Sequence, residues 1–224
     1  MVLRTPLSPD DPAYAGQAVY TPAFLGVYDL MVVNGTARFV FGCPPDEVLR
    51  LYDENAGRSH LDIGVGSGYF LDRCRFPFDR SEITLMDLNR HALDKAAARL
   101  RRYAPRLHLA NVLEPIELPP ASFDSVGMNW LLHCLPGDMD AKAAALSNVR
   151  PLLRPGGVVF GSTVLGRGVN HGVVARLGLG PYNWLGIFSN SGDDPAGLAR
   201  ALEENFTRHE LRVVSSMALF RAWV

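Results

Sequence analysis

Between residues 59 and 70 the chain reads Ser-His-Leu-Asp-Ile-Gly-Val-Gly-Ser-Gly-Tyr-Phe, an apolar strand running into glycines at 64, 66 and 68 and then into a helix. Few folds accept that order. Glycines at such a junction let the backbone turn sharply and approach a ligand closely, and the start of the next helix offers N–H groups to an anionic part of it. The stretch therefore predicts a nucleotide-type cofactor loop between the first strand and first helix of an α/β unit.

The flanking pattern agrees. After residue 60 strands and helices alternate: strand 60–63, helix 68–75, strand 82–86, helix 90–103, strand 106–110, strand 123–128, helix 139–153 and strand 157–163, the last fed by a turn at Pro155-Gly156-Gly157. Alternation of this kind implies parallel strands joined by right-handed crossovers. A Gly-rich surface stretch (166–192) and a helix near 195–205 follow. The β-rich runs Leu211–Ser215 and Met217–Trp223 are too close for a helical crossover and must pair antiparallel. Ahead of the core, residues 1–14 are a proline-rich irregular arm. Thr21-Pro22 begins a helix carrying Phe24, Val27, Tyr28 and Met31 on one face, and a second helix follows Pro44-Pro45 with Val48, Leu49 and Tyr52 inward. One compact domain results, with an arm and helices at 1–57 and a core at 58–224.

Composition narrows the partner. With 224 residues, 48% of them apolar, and a formal net charge of -1, the chain has a sizeable core and no electrostatic footprint for nucleic acid or an anionic membrane. Arg99, Arg101, Arg102 and Arg106 end a helix and read as a solvated face. Cys43, Cys74 and Cys134 are odd in number and form no C-x-x-C pair, against a disulfide framework or a zinc site. No apolar run spans a bilayer, and no signal pattern opens the chain. The expectation is a cytoplasmic protein, monomer or homodimer, with a small-molecule partner and no metal.

In an open parallel sheet the ligand lies beyond the carboxyl ends of the strands. Those ends deliver Asp62 and the glycines, then Asp87, Asn111-Val112 and Asn129-Trp130. Asp87 stands 23 residues beyond Gly64, where an acid accepts hydrogen bonds from a ribose diol. This fits both dinucleotide and adenosine cofactors. The dinucleotide fingerprint, however, wants a small residue at the position that Tyr69 occupies, and Asp62 suits a cationic amino group better than a pyrophosphate.

These residues resemble the class I S-adenosylmethionine-dependent methyltransferases over about half the chain, roughly 59–164. The matching stretches are Leu61-Asp62-Ile63-Gly64-Val65-Gly66-Ser67-Gly68, Met86-Asp87-Leu88-Asn89, Ser122-Phe123-Asp124-Ser125-Val126 and Leu152-Leu153-Arg154-Pro155-Gly156-Gly157. The resemblance implies a Rossmann-like three-layer sandwich whose seven-stranded, mostly parallel sheet has its last strand antiparallel, under an N-terminal helical lid. It implies S-adenosylmethionine as methyl donor and S-adenosylhomocysteine as product. Asp62, Gly64, Gly66 and Gly68 would hold the methionine part, Asp87 and Leu88 the ribose, and Asn111 and Val112 the adenine, with Asn129, Trp130 and Tyr28 completing the cofactor site. Asn111 replaces the commoner Asp, and its carboxamide oxygen can still accept the adenine amine. The stretches Tyr69–Pro77 and Asn129–Pro136 are further similar to a microbial branch that O-methylates secondary metabolites.

For the acceptor side, direct in-line transfer needs positioning above all. His133, four residues beyond Asn129, is the candidate general base if the acceptor is a hydroxyl, and its competing reading is a turn residue bonded to backbone. Cys134 reads as a small buried hydrophobe. Tyr14, Tyr20, Phe24, His171 and Trp184 are the candidate substrate residues, an aromatic lining suited to a flat, mostly apolar metabolite. The expected activity is O-methylation of a small aromatic or polyketide-like molecule. The alternatives are a cyclisation or rearrangement in the same cofactor site, a nicotinamide dehydrogenase, and a non-catalytic binding module.

Overall fold

The computed structural model describes Gly35 and residues 40–76 and 81–224. Tyr14, Tyr20, Phe24 and Tyr28, and with them the expected lid, lie outside the described residues. The first described helix is α1 (Pro45–Asn55), with Pro45 in its first turn and Val48 and Tyr52 buried beneath it. Strand β1 (Ser59–Ile63), helix α2 (Tyr69–Arg73), β2 (Glu82–Asp87), α3 (Arg90–Arg99), β3 (Arg106–Leu109) and β4 (Phe123–Asn129) follow. Helix α4 (Met139–Val149), β5 (Leu153–Val164), α5 (Val173–Trp184), α6 (Pro195–Asn205), β6 (Arg208–Val214) and β7 (Met217–Trp223) complete the order.

The strands form one seven-stranded sheet in the order β3-β2-β1-β4-β5-β7-β6. β1 to β5 run parallel, and β7 inserts antiparallel between β5 and β6. The order reverses at β1 and β4, so the carboxyl ends of those two strands flank the crevice where a ligand of such a sheet sits. Two apolar clusters cover the faces. Leu61, Val126, Leu146, Leu198 and Leu202 belong to the one against α4 and α6, while Val48, Leu85, Leu93, Phe160 and Leu219 belong to the one against α1, α2 and α3.

Caps explain the helix starts. Asn89 accepts from the backbone N–H groups of His91 and Ala92, Asp138 from Ala141 and Asp194 from Gly197. Three expectations need correction. The Gly-rich stretch contains a helix, α5, which carries Pro181 inside it. β5 begins at Leu153, because Pro155-Gly156-Gly157 forms a bulge where β4 shifts register from Leu153 to Val158. The strand expected from Leu211 begins at Arg208.

Candidate functional site

The three loop glycines all adopt the left-handed conformation, with φ of 72° at Gly64, 51° at Gly66 and 72° at Gly68. A side chain at Gly64 would also collide, since its Cβ would stand 2.9 Å from Leu131 Cδ1. The loop is pinned at its root by Gly64 N–H donating to Met86 O (2.9 Å) and closed by Gly68 N–H donating to Val65 O (2.9 Å). Around it lies a cleft open to solvent, lined by Tyr52, Asp62, residues 64–71, Asn129 and Trp130.

Asp62 is buried, and its Oδ1 accepts from the Tyr52 hydroxyl at 2.8 Å. Burial, with Asp62's charge beside it, keeps the Tyr52 phenol well above its ordinary pKa and therefore protonated. Sequence reasoning placed Tyr52 in the core and missed it as a wall of the cleft. A hydroxyl on the inward face of the helix before the loop was the only signal.

At the end of β2, the Asp87 carboxylate accepts the backbone N–H of Asn89 at 2.8 Å and is further bonded by the N–H groups of Gly66, Val65 and Leu88. Loop N–H groups expected to greet a ligand are thus turned partly toward a protein acid. Desolvation outweighs those bonds and pushes the Asp87 pKa up to about 6. At the end of β3, the Asn111 side-chain oxygen accepts the Leu113 N–H at 3.0 Å, leaving one lone pair for an adenine amine. Val112 is buried and its carbonyl accepts from Asn148.

The end of β4 carries two buried donors, Trp130 Nε1, which has no partner among the described residues, and Asn129 Nδ2, which is aimed at the Tyr52 hydroxyl. Asn129 is oriented through its Oδ1, which accepts from the Ser162 hydroxyl at 3.0 Å. Trp130 holds a left-handed φ of 55°, donates its backbone N–H to Ser162 O and sets its ring edge-on to Phe70 at 5.5 Å. Strain at a bulky residue persists where surroundings over-determine it, and here it turns an indole into a ligand cleft. Buried donors at a cleft call for an acceptor-bearing ligand. Together with the carboxylates of Asp62 and Asp87 they match the amino-acid and ribose groups of S-adenosylmethionine.

On the acceptor side the structure corrects three expectations. His133 is buried, and its Nδ1 accepts the Val164 N–H at 3.2 Å and faces Thr163 Oγ1 at 3.3 Å. The ring proton therefore resides on Nε2. Burial, reinforced by the charge of Lys142, pushes the imidazole pKa down to about 3, so His133 is not the near-neutral base that its position promised. His171 binds the protein through both nitrogens, Nδ1 to Ser216 Oγ and Nε2 to Gly166 O, each at 3.0 Å, and is neither loosely held nor free for substrate. Trp184 is 85% exposed. Two positions on a helix differ by about 200°, so turning Tyr182 inward turns Trp184 out.

The inward aromatics are instead Phe188, Tyr182 and Phe41. Phe188 stacks on Tyr182 (4.8 Å between ring centres), meets His133 edge-on (4.5 Å) and packs near Phe41 (5.9 Å). Their segment is anchored from below. Ser189 donates its N–H to His133 O, and its carbonyl accepts from Lys142 Nζ, which also pairs with Asp193 at 2.6 Å in a fully buried ion pair.

The chain is similar to known methyltransferases. A family model described as a methyltransferase domain matches residues 61–159. The demethylluteothin O-methyltransferase of Streptomyces thioluteus is 42% identical over 214 residues, spanning 96% of this chain and 93% of that protein. The physcion biosynthesis cluster O-methyltransferase of Aspergillus chevalieri is 38% identical over 213 residues, spanning 94% and 96%. Among solved structures, the Haemonchus contortus phosphoethanolamine N-methyltransferase 2, in complex with phosphomonomethylethanolamine and S-adenosylhomocysteine, superposes with a TM-score of 0.67 at 18% identity. It covers 93% of this chain and 47% of that one, a likeness of fold.

Proposed function

We propose, for a chain that belongs to the S-adenosylmethionine-dependent small-molecule methyltransferases, that it methylates an acidic oxygen, phenolic or enolic, on a small aromatic or polyketide-like metabolite. The observation that carries the oxygen acceptor is the pair of relatives, each matched over more than nine-tenths of both chains, whose names specify O-methylation. Bound S-adenosylmethionine supplies an electrophilic methyl group and leaves as S-adenosylhomocysteine.

The residues divide the work as follows. Asp62 and the turn at Gly64, Gly66 and Gly68 hold the amino-acid end, Asp87 and Leu88 the ribose, and Asn111 and Val112 the adenine. Asn129 Nδ2 and Trp130 Nε1 donate to the ligand from the β4 end. Phe188, Tyr182 and Phe41 offer a flat apolar wall to the acceptor. Tyr28 is assigned to the cofactor, and Tyr14, Tyr20 and Phe24 to the acceptor, in a lid within residues 1–57 over the core of 58–224.

His133 bears on the kind of oxygen. A base whose conjugate acid has a pKa near 3 takes a proton from a hydroxyl of pKa about 10 uphill by roughly 7 units, on the order of 10 kcal/mol. An acceptor that ionises by itself needs no such base. His133 then orients the acceptor as a neutral donor, and positioning supplies roughly 7–11 kcal/mol of the barrier. The net charge and cysteine content fit a cytoplasmic monomer or homodimer without a nucleic-acid partner.

The test is incubation with methyl-labelled S-adenosylmethionine and a graded series of phenols and enolic pyrones, with aliphatic alcohols and amines as controls. Label in ether-linked methyl groups of the acidic hydroxyls, with equimolar S-adenosylhomocysteine, is expected. Amine labelling, or turnover of a substrate without S-adenosylhomocysteine, would replace this reading by N-methylation or by a cyclisation.

A further inference from the structure

Beneath the glycine loop the face of β1 and β4 that lies under α1 carries a dry polar chain. The strands pair His60 with Ser125 and Asp62 with Gly127, so the side chains of His60, Asp62 and Ser125 share one face. Ser125 and His60 are fully buried, and Asp62 and Tyr52 nearly so. Ser125 Oγ accepts the Gly57 N–H at 2.8 Å and stands 2.8 Å from His60 Nδ1. The hydroxyl keeps a second lone pair, so the Gly57 bond does not fix the imidazole tautomer. The Asp62 carboxylate does, because a bare Nε2 lone pair turned toward it would be repelled, which puts the imidazole proton on Nε2 and leaves Nδ1 to accept from the Ser125 hydroxyl. Among the described residues His60 Nε2 has no hydrogen-bond partner, and the acceptor it faces is Asp62 Oδ1 at 3.6 Å, the oxygen that Tyr52 already anchors.

Two further details show that this juxtaposition is built. The imidazole is stacked on Phe160 (5.7 Å, 23° between planes), which fixes its plane. The Asp62–His60 contact crosses above Gly127, where a Cβ would stand 2.4 Å from Asp62 Oδ1 and 3.4 Å from His60 Nε2. Any side chain there would push the Asp62 carboxylate out of its place. An N–H without a full hydrogen bond is costly in the interior, and what offsets that cost here is the Asp62 carboxylate it faces.

We propose that His60, backed by Ser125, is a positioning residue for the cofactor's amino-acid end: its Nε2–H orients and electrostatically supports the Asp62 carboxylate that receives the ammonium group. The inference rests on the cofactor reading above. His60 touches no ligand; it acts through Asp62, and its effect is confined to ligands that carry the ammonium.

That confinement supplies the test, by calorimetry on the full chain with two probes. S-adenosylhomocysteine carries the amino-acid end, and 5′-methylthioadenosine lacks it. His60→Phe, which keeps the stacked shape, is expected to weaken S-adenosylhomocysteine 5- to 20-fold and to leave 5′-methylthioadenosine within twofold. His60→Gln, which restores a donor near the Nε2 position, should recover affinity to within threefold. Ser125→Ala, a smaller change for use if His60→Phe fails to fold, should weaken the first ligand two- to fivefold and spare the second. Equal losses for both ligands would reduce His60 to a scaffold residue and overturn the proposal, as would no loss for either. Wild-type protein that binds neither probe would instead overturn the cofactor reading, and this inference with it.

Discussion

The Tyr52 hydroxyl donates to Asp62 Oδ1 at 2.8 Å across the junction between α1 and β1, so the helix ahead of the core helps to build the floor of the cleft around the glycine loop. A hydrogen bond to a buried charge contributes about 1.5–3 kcal/mol. Tyr52→Phe should therefore lower the free energy of unfolding in urea by about that amount. It should also weaken S-adenosylhomocysteine, because Asp62 loses its anchor. An unchanged affinity alongside lowered stability would show that Tyr52 serves packing alone.

Asp87 couples cofactor affinity to pH. The ionised carboxylate is the form that accepts ribose hydroxyls, and its pKa stands at about 6 in the folded protein. Affinity for S-adenosylhomocysteine should be constant above pH 7 and fall as pH drops through 6, approaching tenfold per unit. Asp87→Ala should weaken binding by about 1.5–3 kcal/mol at pH 7.5 and flatten that dependence. Calorimetry between pH 5 and 8 checks both, and a wild-type profile without a fall below 6 would remove Asp87 from the ribose role.

The glycine-loop half of the cleft was legible because its lining lies in consecutive residues. Asp62, Gly64, Gly66 and Gly68 are local, Asp87 follows at a fixed separation, and short buried strands announce themselves by composition. The acceptor half depends on tertiary phase. Nothing local distinguishes Trp184, which faces solvent, from Tyr182 and Phe188, which face in. Gly178, Gly180 and Pro181 broke the helical pattern of α5, so the helix that decides this phase was read as a surface stretch. The start of β6 was missed for a similar reason, because Arg208, His209 and Glu210 are polar on a sheet edge and carry no apolar alternation. Tyr52 was assigned to the core, since its approach with His60 to Asp62 exists only after α1 docks on the sheet.

The corrected acceptor wall separates two substitutions that composition alone would treat alike. Trp184→Ala removes an exposed ring and should change stability by no more than about 0.5 kcal/mol, with methyl transfer unaltered. Phe188→Ala removes a ring packed on His133 and Tyr182 and should cost about 3–5 kcal/mol. Phe188→Leu, which retains volume, isolates the ring's contribution to the acceptor KM. Loss of transfer in Trp184→Ala with normal stability would return that residue to the substrate site.

His133 and Asp87 place opposing demands on the fold as pH falls. The folded pKa of His133 lies near 3, below its ordinary 6.5, so the unfolded chain binds a proton first and stability is lost as pH falls below 6.5, by up to about 1.4 kcal/mol per unit. Asp87 has the reverse sign. Its folded pKa of about 6 lies above the ordinary 3.8, so its cost, roughly 3 kcal/mol at neutral pH, is relieved as pH falls through 6. Between pH 4 and 6 the two slopes nearly cancel. His133→Gln should unmask Asp87, giving a protein whose residual stability rises on mild acidification relative to wild type, and Asp87→Asn should unmask His133 and steepen acid unfolding. Parallel denaturant titrations at pH 4.5, 5.5 and 7 compare the three proteins, and identical slopes would refute both assignments.

The buried pair Lys142–Asp193 ties α4 to the segment that carries Phe188. Burial pulls the lysine pKa down and pushes the aspartate pKa up, while their mutual attraction opposes both shifts. A pair of this kind is a weak source of net stability, yet removing one member strands a charge in a dry interior at a cost of about 3–5 kcal/mol. Lys142→Met should therefore destabilise the protein by that amount, and Asp193→Leu likewise. The double variant should be markedly more stable than either single one, because no charge is left unpaired. Its Ser189 carbonyl still lacks the lysine donor, so the wall formed by Phe188 and His133 should be less well held. The expected signature is near-normal S-adenosylhomocysteine affinity with a raised acceptor KM. A double variant no more stable than the single ones would show that the pair is not coupled as the 2.6 Å contact implies.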